Sequence, residues 1–452
     1  MGNYQGYQKY KDSGVVWLGD IPEHWEVKRF KFLLSEPFKY GANEAAEIDD
    51  PNLPRYIRIT DVKDDGNLRD DTFRSLPEEI AKDYILEESD ILLARSGATV
   101  GKTFIYRKSW GKAAYAGYLI RARVSGQNNS NFIYKFLQSK LYWDWVKSIF
   151  IQATIQNISA EKYSNLFITI PPLNEQEKIA QFLDYKTKQI DELIKKKETL
   201  IEKLDEKRTA VISHAVTKGL DSSVPMKDSC IEWLGEIPKH WKVKRLKNIA
   251  SCNDESLGEN TAPDFEIEYV DISSVDLVSG IRHYENMTFE KAPSRARRKV
   301  QDGDTIISTV RTYLKSIAAI KQPPINLIVS TGFAVIRPKI NINSNYIGYL
   351  LQSEGFVGKV VSNSVGVSYP AINSSVLISL PVVEPPINEQ QKIAQFLDYK
   401  TAQIDKQKAK IKQAIELLKE YRTSLITNAV TGKIDVSQIA IPSPQKPQPQ
   451  KG

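Results

Sequence analysis

One stretch of this chain is written twice. Asn174 to Thr187 reads NEQEKIAQFLDYKT and Asn388 to Thr401 reads NEQQKIAQFLDYKT, 214 positions later with one difference. A second stretch behaves alike: Asp12 to Arg29 (DSGVVWLGDIPEHWEVKR) returns as Asp228 to Arg245 (DSCIEWLGEIPKHWKVKR), with 12 of 18 positions identical and an offset of 216. Between these markers lie residues 30–173 and 246–387, 144 and 142 residues that match only in scattered places. An internal tandem repeat requires one fold used twice. A frame kept twice around a middle that varies twice implies two different readers on one scaffold.

The 452 residues correspond to about three domains of ordinary size, which the repeat refines to two units of one globular domain and one helical arm each. The expected boundaries are 1–170 and 221–384 for the globular domains, 171–220 and 385–435 for the arms, and 436–452 for a disordered tail. A hydrophobic share of 41% with 26% charged residues is ordinary for a folded chain. No apolar run approaches the ~18 residues that span a bilayer, and Met1 to Lys11 does not read as a signal peptide. A soluble, cytoplasmic protein without membrane contact is expected. Cys230 and Cys252 lack metal or disulfide spacing and read as buried free thiols.

The arms are helical. From Asn174 to about Ser213 there is neither Pro nor Gly, and Leu183, Ile190, Lys197, Leu204 and Val211 step by seven, flanked by Leu193, Ile194, Leu200 and Ile201. In the second copy Leu397, Ile404, Ile411, Leu418 and Leu425 form an unbroken apolar series. Such heptads predict coiled-coil helices of about 40 residues, ~60 Å long. Proline pairs precede Asn174 and Asn388, which are predicted N-caps, and Gly219 and Gly432 mark the ends.

The globular stretches read as mixed α and β. Predicted strands are 56–62, 90–96, 102–106 and 117–124 in the first copy, and 269–275, 304–310, 315–320 and 332–338 in the second. A helix follows each set, over 131–149 and 344–361. The order matches, so one fold has been duplicated and its surface has diverged. The tail from Ile441 is rich in Pro and Gln and is expected to be disordered.

Catalytic motifs are scarce. GATVGKT, Gly97 to Thr103, resembles a phosphate-binding loop but has three residues between its glycines where that loop needs four. The corresponding RTYLKS of the second copy, Arg311 to Ser316, has no glycine. A tight turn presenting Arg95, Ser96, Lys102 and Thr103 is the preferred reading. His24, His214, His240 and His283 are too scattered for a metal site, and His24 and His240, beside Trp25 and Trp241, read as packing of the strand entering each domain. The positive signal is basic. Lys291 to Lys315 holds seven Lys/Arg against two Asp, including Arg297, Arg298, Arg311 and Lys315 around Tyr313. Lys102 to Lys112 has four basic residues, Arg107 and Lys108 among them, and no acid. Such clusters neutralise phosphates, and Arg, Ser, Thr and Tyr reach base edges. A solvated basic face is the competing explanation from charge alone. Two polar loops, 150–159 and 363–373, occupy equivalent places before the arms.

The order of parts resembles the specificity subunit of type I restriction-modification systems: a variable domain opening with WLGxIPxHWxVKR, closing with IPPLNEQEKIAQFLD or PPINEQQKIAQFLD, then a long helix, all repeated. The resemblance covers nearly the whole chain. It implies an α+β fold of two mixed α/β target recognition domains separated by two long antiparallel coiled-coil helices with pseudo-two-fold symmetry. Each domain would read half of a split double-stranded DNA target, while the helices (Leu183, Ile190, Leu204, Leu397, Ile404, Ile411, Leu418, Leu425) pair as a spacer and dock two modification subunits, with restriction subunits joining. No catalysis by this chain is implied. No cofactor would be bound by it either, since S-adenosylmethionine, ATP and Mg belong to the partner subunits. Two other classes stay open from the residues alone: a coiled-coil adaptor whose domains bind protein, and an enzyme binding nucleotide at Gly97 to Thr103.

Overall fold

A computed structural model describes residues 4–63, 66–97, 99–151 and 157–442. The two arms form helices Leu173–Lys218 and Ile387–Val430, of 46 and 44 residues. Each begins one residue ahead of the predicted cap. The Pro172 carbonyl accepts from the N–H of Glu175 and Gln176, both at 2.9 Å, and Pro386 does the same for Glu389 and Gln390 at 2.9 and 3.0 Å. The proline therefore stands at the cap position and Asn174 and Asn388 lie inside the first turn, a correction that follows from proline's fixed φ and its freedom from needing a partner for a missing N–H. Gly219 (φ +79°) and Gly432 (φ +71°) end the helices in the left-handed conformation.

The heptad residues line a seam. Leu183, Ile190, Leu204, Leu397, Ile404 and Leu425 are buried, and Val211, Ile411 and Leu418 are half-buried. Four residues after each position stands a second covered set, including Thr187, Ile194, Ala215, Thr401, Lys408 and Ile415. Alternating steps of four and three are the geometry of a coiled-coil stripe. Leu193 and Leu200 fall off it and stay 43% and 46% exposed. Asp191 pairs with Arg422, and Asp205 with Lys408. Moving up the first helix from 191 to 205 moves the partner down the second from 422 to 408, so the helices run antiparallel.

The chain divides into two compact units, one of residues 1–196 with 413–452 and the other of 197–412. In each, the strand that enters the globular domain pairs antiparallel with the strand that leaves it: Glu26–Arg29 with Phe167–Ile170, and Lys242–Arg245 with Pro381–Glu384. The entering strand closes the first repeated stretch and the leaving strand runs directly into the second, so the two repeated stretches meet at this pair. Glu175, in the first turn of its helix, accepts from Trp25 Nε1 at 3.1 Å and meets His24 Nε2 at 2.9 Å. Glu389 repeats this with Trp241 at 2.9 Å and His240 at 2.7 Å. Gln176 and Gln390, both 1% exposed, take the backbone N–H of Asn129 and Asn343 and donate to the carbonyls of Pro171 and Pro385.

Each domain carries a four-stranded antiparallel sheet. Its order is Lys39–Tyr40, Leu119–Ala122, Ile91–Ala94, Thr103–Ile105 in the first, and Ala250–Cys252, Phe333–Pro338, Thr305–Ser308, Ile317–Ala319 in the second. A parallel pair lies beside it, Arg55–Ile57 with Ala113–Tyr115 and Glu266–Val270 with Leu327–Ser330. A bidentate ion pair recurs: Arg123 on Asp90 and Arg337 on Asp304, each aspartate 1% exposed.

The strands predicted at 56–62 and 269–275 end early, at Ile57 and Val270, where 3₁₀ turns Ile59–Asp61 and Ile272–Ser274 follow. Each predicted helix is two: Ser130–Phe136 with Lys140–Ile151, and Ser344–Gln352 with Glu354–Ser362. Buried Ser139 and Ser353 break them, bonding local backbone that a continuous helix would use. The tail expected to be disordered from 436 is packed as far as it is described. Val436 is fully buried, Ile439 and Ile441 pack against the first core, and Asp435 N–H reaches the Gln5 carbonyl at 2.7 Å. Residues 443–452 lie outside the described residues.

Candidate nucleic-acid interface

The two central strands superimpose at an offset of 214, with Ala94 facing Leu119 where Ser308 faces Phe333. That offset sets Gly97 against Arg311 and Gly101 against Lys315. Their backbones agree: φ is +82° and +84° at the glycines and +50° and +53° at Arg311 and Lys315. The hydrogen bonds agree too, Ala94 N–H to Lys102 O and Ser308 N–H to Ser316 O, both 2.9 Å. One turn has been built twice, once bare and once with two cations. Left-handed backbone costs a non-glycine residue roughly 1–2 kcal/mol, a strain that marks functional sites more often than scaffold. A strand, Thr103–Ile105, follows Gly97 to Thr103 where a phosphate-binding loop would lead into a helix.

A second loop zips onto each turn. Ser96 bridges to Asn157, and Ile158 N–H reaches the Arg95 carbonyl at 2.8 Å. Val310 bridges to Ala371, and Ile372 N–H reaches the Thr309 carbonyl at 2.8 Å. The polar loops expected at 150–159 and 363–373 therefore converge on the turns, although 152–156 lie outside the described residues. An arginine rests on a tyrosine in both places: Arg95 over Tyr40 at 4.8 Å, Arg311 over Tyr369 at 4.5 Å. Tyr118 is exposed beside the first turn, its carbonyl accepting from Arg95 N–H at 3.0 Å. Below that turn Tyr142 donates to the Gly101 carbonyl at 2.7 Å, and burial pushes its hydroxyl well above the usual range.

The predicted DNA-contact residues divide accordingly. Arg311, Tyr313 and Lys315 share the second turn and are exposed. Arg95 and Ser96 share the first. Lys102 and Thr103 line a cavity of about 300 Å³ with Lys63, Trp143 and Arg422. Arg107 and Lys108 fall at the opposite end of the hairpin from Arg95, where Glu88 engages the Arg107 guanidinium and the Lys108 N–H. Arg297 and Arg298 sit on Ala296–Lys299 in the other sheet, which runs away from the turn; Arg297 stacks on Phe289 at 4.5 Å and Arg298 bonds Ser256. These four are not brought to the turns. Arg295, not singled out in the sequence beyond its basic run, lies nearer: its carbonyl accepts from Thr331 N–H, and its side chain pairs with Asp271 at 2.8 Å. Among the described residues no group of three or more His, Cys, Asp or Glu is placed to hold a metal, and no helix is long and apolar enough to cross a membrane.

Comparison with known proteins gives concordant results. The sequence profile for the type I restriction modification DNA specificity domain matches twice, over residues 22–203 and 238–417. The MjaVIII type I restriction enzyme specificity subunit of Methanocaldococcus jannaschii is 26% identical over 442 residues, covering 93% of this chain and 95% of that protein. The EcoKI specificity subunit of Escherichia coli K12 is 24% identical over 445 residues, covering 92% and 90%. Among solved structures, a chain from a type I R-M system study aligns with a TM-score of 0.67 at 13% identity, over 91% of this chain and 98% of that one. The HsdS subunit from Thermoanaerobacter tengcongensis gives 0.51 at 15% identity, over 92% and 98%.

Proposed function

The chain belongs to the type I restriction modification DNA specificity family, and we propose that it is the sequence-reading subunit of such a complex, binding a split, asymmetric double-stranded DNA target. Methylation of adenine, and ATP-dependent restriction, are carried out by the partner subunits at the target it selects. The chain itself is non-catalytic, and S-adenosylmethionine, ATP and Mg are held by those partners.

The observation that carries this reading is the duplicated turn. A protein that reads two unlike half-sites needs one presentation geometry and two sets of side chains. The two turns share left-handed backbone at their ends, Gly97 and Gly101 in one and Arg311 and Lys315 in the other, and differ in residues. Cations at the turn supply phosphate contacts that hold register, and polar and aromatic groups beside them supply base contacts. Unlike domains then select unlike half-sites.

Mapping methylated adenines in cells that carry this chain with its modification partner tests the proposal. A bipartite motif with two different halves around a fixed unspecified gap is expected. Methylation without sequence preference, or none that depends on the chain, would refute it.

A further inference from the structure

The second domain carries, beside its turn, a feature that polar base-reading does not use. Residues 364–372 form a short hairpin closed by Val365 N–H to the Ala371 carbonyl at 2.8 Å and Ala371 N–H to the Val365 carbonyl at 3.0 Å. Val367 at its tip is 101% exposed, Val365 81% and Tyr369 63%. Tyr313 and Leu314 of the neighbouring turn add 51% and 48%. Five exposed apolar or aromatic side chains thus gather on two neighbouring loops, whereas isolated exposed apolar residues are commonplace.

The hairpin is tied to the turn. Ile372 N–H bonds the Thr309 carbonyl, the Thr312 and Ser364 hydroxyls meet at 2.7 Å, and Arg311 stacks on Tyr369. Three ties to the turn spend part of the ordering entropy before any ligand arrives. Its charge is one-sided: Arg311 and Lys315 flank it, and neither 305–316 nor 363–373 contains an acidic residue. Apolar tips ringed by cations and free of carboxylates suit a polyanion with stacked apolar interiors, in which side chains of this kind wedge between base steps and kink the duplex.

The geometry points to Val367, supported by Val365 and Tyr369, as a wedge that enters the DNA at the second half-site and partly unstacks one base step, so that this half-site is selected by deformability as well as by base contacts. The inference rests on the DNA-reading function proposed above. Arg311 and Lys315 fix the phosphates on either side, and steps that unstack easily are favoured where the wedge enters.

The test uses the chain assembled with its modification subunits and the target duplex found by methylation mapping, with 2-aminopurine placed in turn at each purine of both half-sites other than the methylated adenines, which a methyltransferase flips out of the stack whatever the wedge does. Binding should raise fluorescence at one step of the second half-site. Val367→Ser should remove that rise and weaken binding about tenfold, the scale of one lost apolar side-chain burial, with thermal unfolding unchanged because the residue packs against nothing. Val365→Thr should act in the same direction with a smaller effect. Tight, selective binding with no fluorescence change at any step and no effect of Val367→Ser would overturn the wedge while leaving the DNA-reading function standing. Equal binding of target and scrambled duplex would instead overturn that function. Loss of the modification subunits from purified Val367→Ser would assign the hairpin to protein docking and overturn the wedge.

Discussion

Arg311 and Lys315 hold a backbone conformation that glycine adopts freely, and Gly97 and Gly101 occupy it in the other copy. Substituting Arg311→Gly or Lys315→Gly should therefore stabilise the second unit by about 1 kcal/mol each, from relief of left-handed strain, while weakening binding to the target duplex; a rise in unfolding midpoint beside a fall in affinity checks both. At Gly101 an added Cβ would stand 2.9 Å from Val146 Cγ1, so Gly101→Ala should destabilise the first unit. Asp304 is buried under Arg337, and Asp304→Asn should cost about 1–3 kcal/mol by breaking the bidentate pair, while Glu255 still faces the guanidinium at 2.7 Å. Cys230, expected to be buried, is exposed, whereas burial pushes the Cys252 thiol up; Cys252 should therefore alkylate more slowly than Cys230 near pH 8, as peptide mass mapping would record. The basic run 291–315 was legible as a candidate surface, but not which of its cations meet. Their grouping depends on a bulge between Ala296 and Arg298 and on the two sheets to which the run contributes. The strain at Arg311 and Lys315 left no mark in the sequence, because neither is the residue that usually announces a left-handed turn.

Elements were more legible where a physical boundary signal was written. Prolines and glycines gave the long helices to within a residue or so, and the heptads gave the buried seam. The domain helices were misjudged as continuous because Ser139 and Ser353 break them without Gly or Pro. The repeated NEQ element proves to be a joint: its Glu and Gln tie the helix start to the entering strand and to the cap of a domain helix. Removing the carboxylate with Glu389→Ala leaves the Nε1 of fully buried Trp241 without an acceptor, a loss of about 1–3 kcal/mol. Urea unfolding should show the second unit weakened, with Glu389→Gln recovering part of the loss because its amide oxygen still accepts.

At the scale of the molecule, the repeat separates two tasks. What was duplicated and kept is the joint and the paired helices; what was duplicated and changed is the turn with its loop. Under the proposed function the helices set the spacing between half-sites, and the domains set their identity. Removing one heptad from each long helix, at positions chosen to face each other, shortens the arm by ~10 Å, about three base pairs at 3.4 Å rise. The decisive measurement is adenine-methylation mapping of cells carrying the shortened chain with its modification partner. Both half-sites should persist unchanged with a gap shorter by about three base pairs; altered half-sites, or an unchanged gap, would contradict the account.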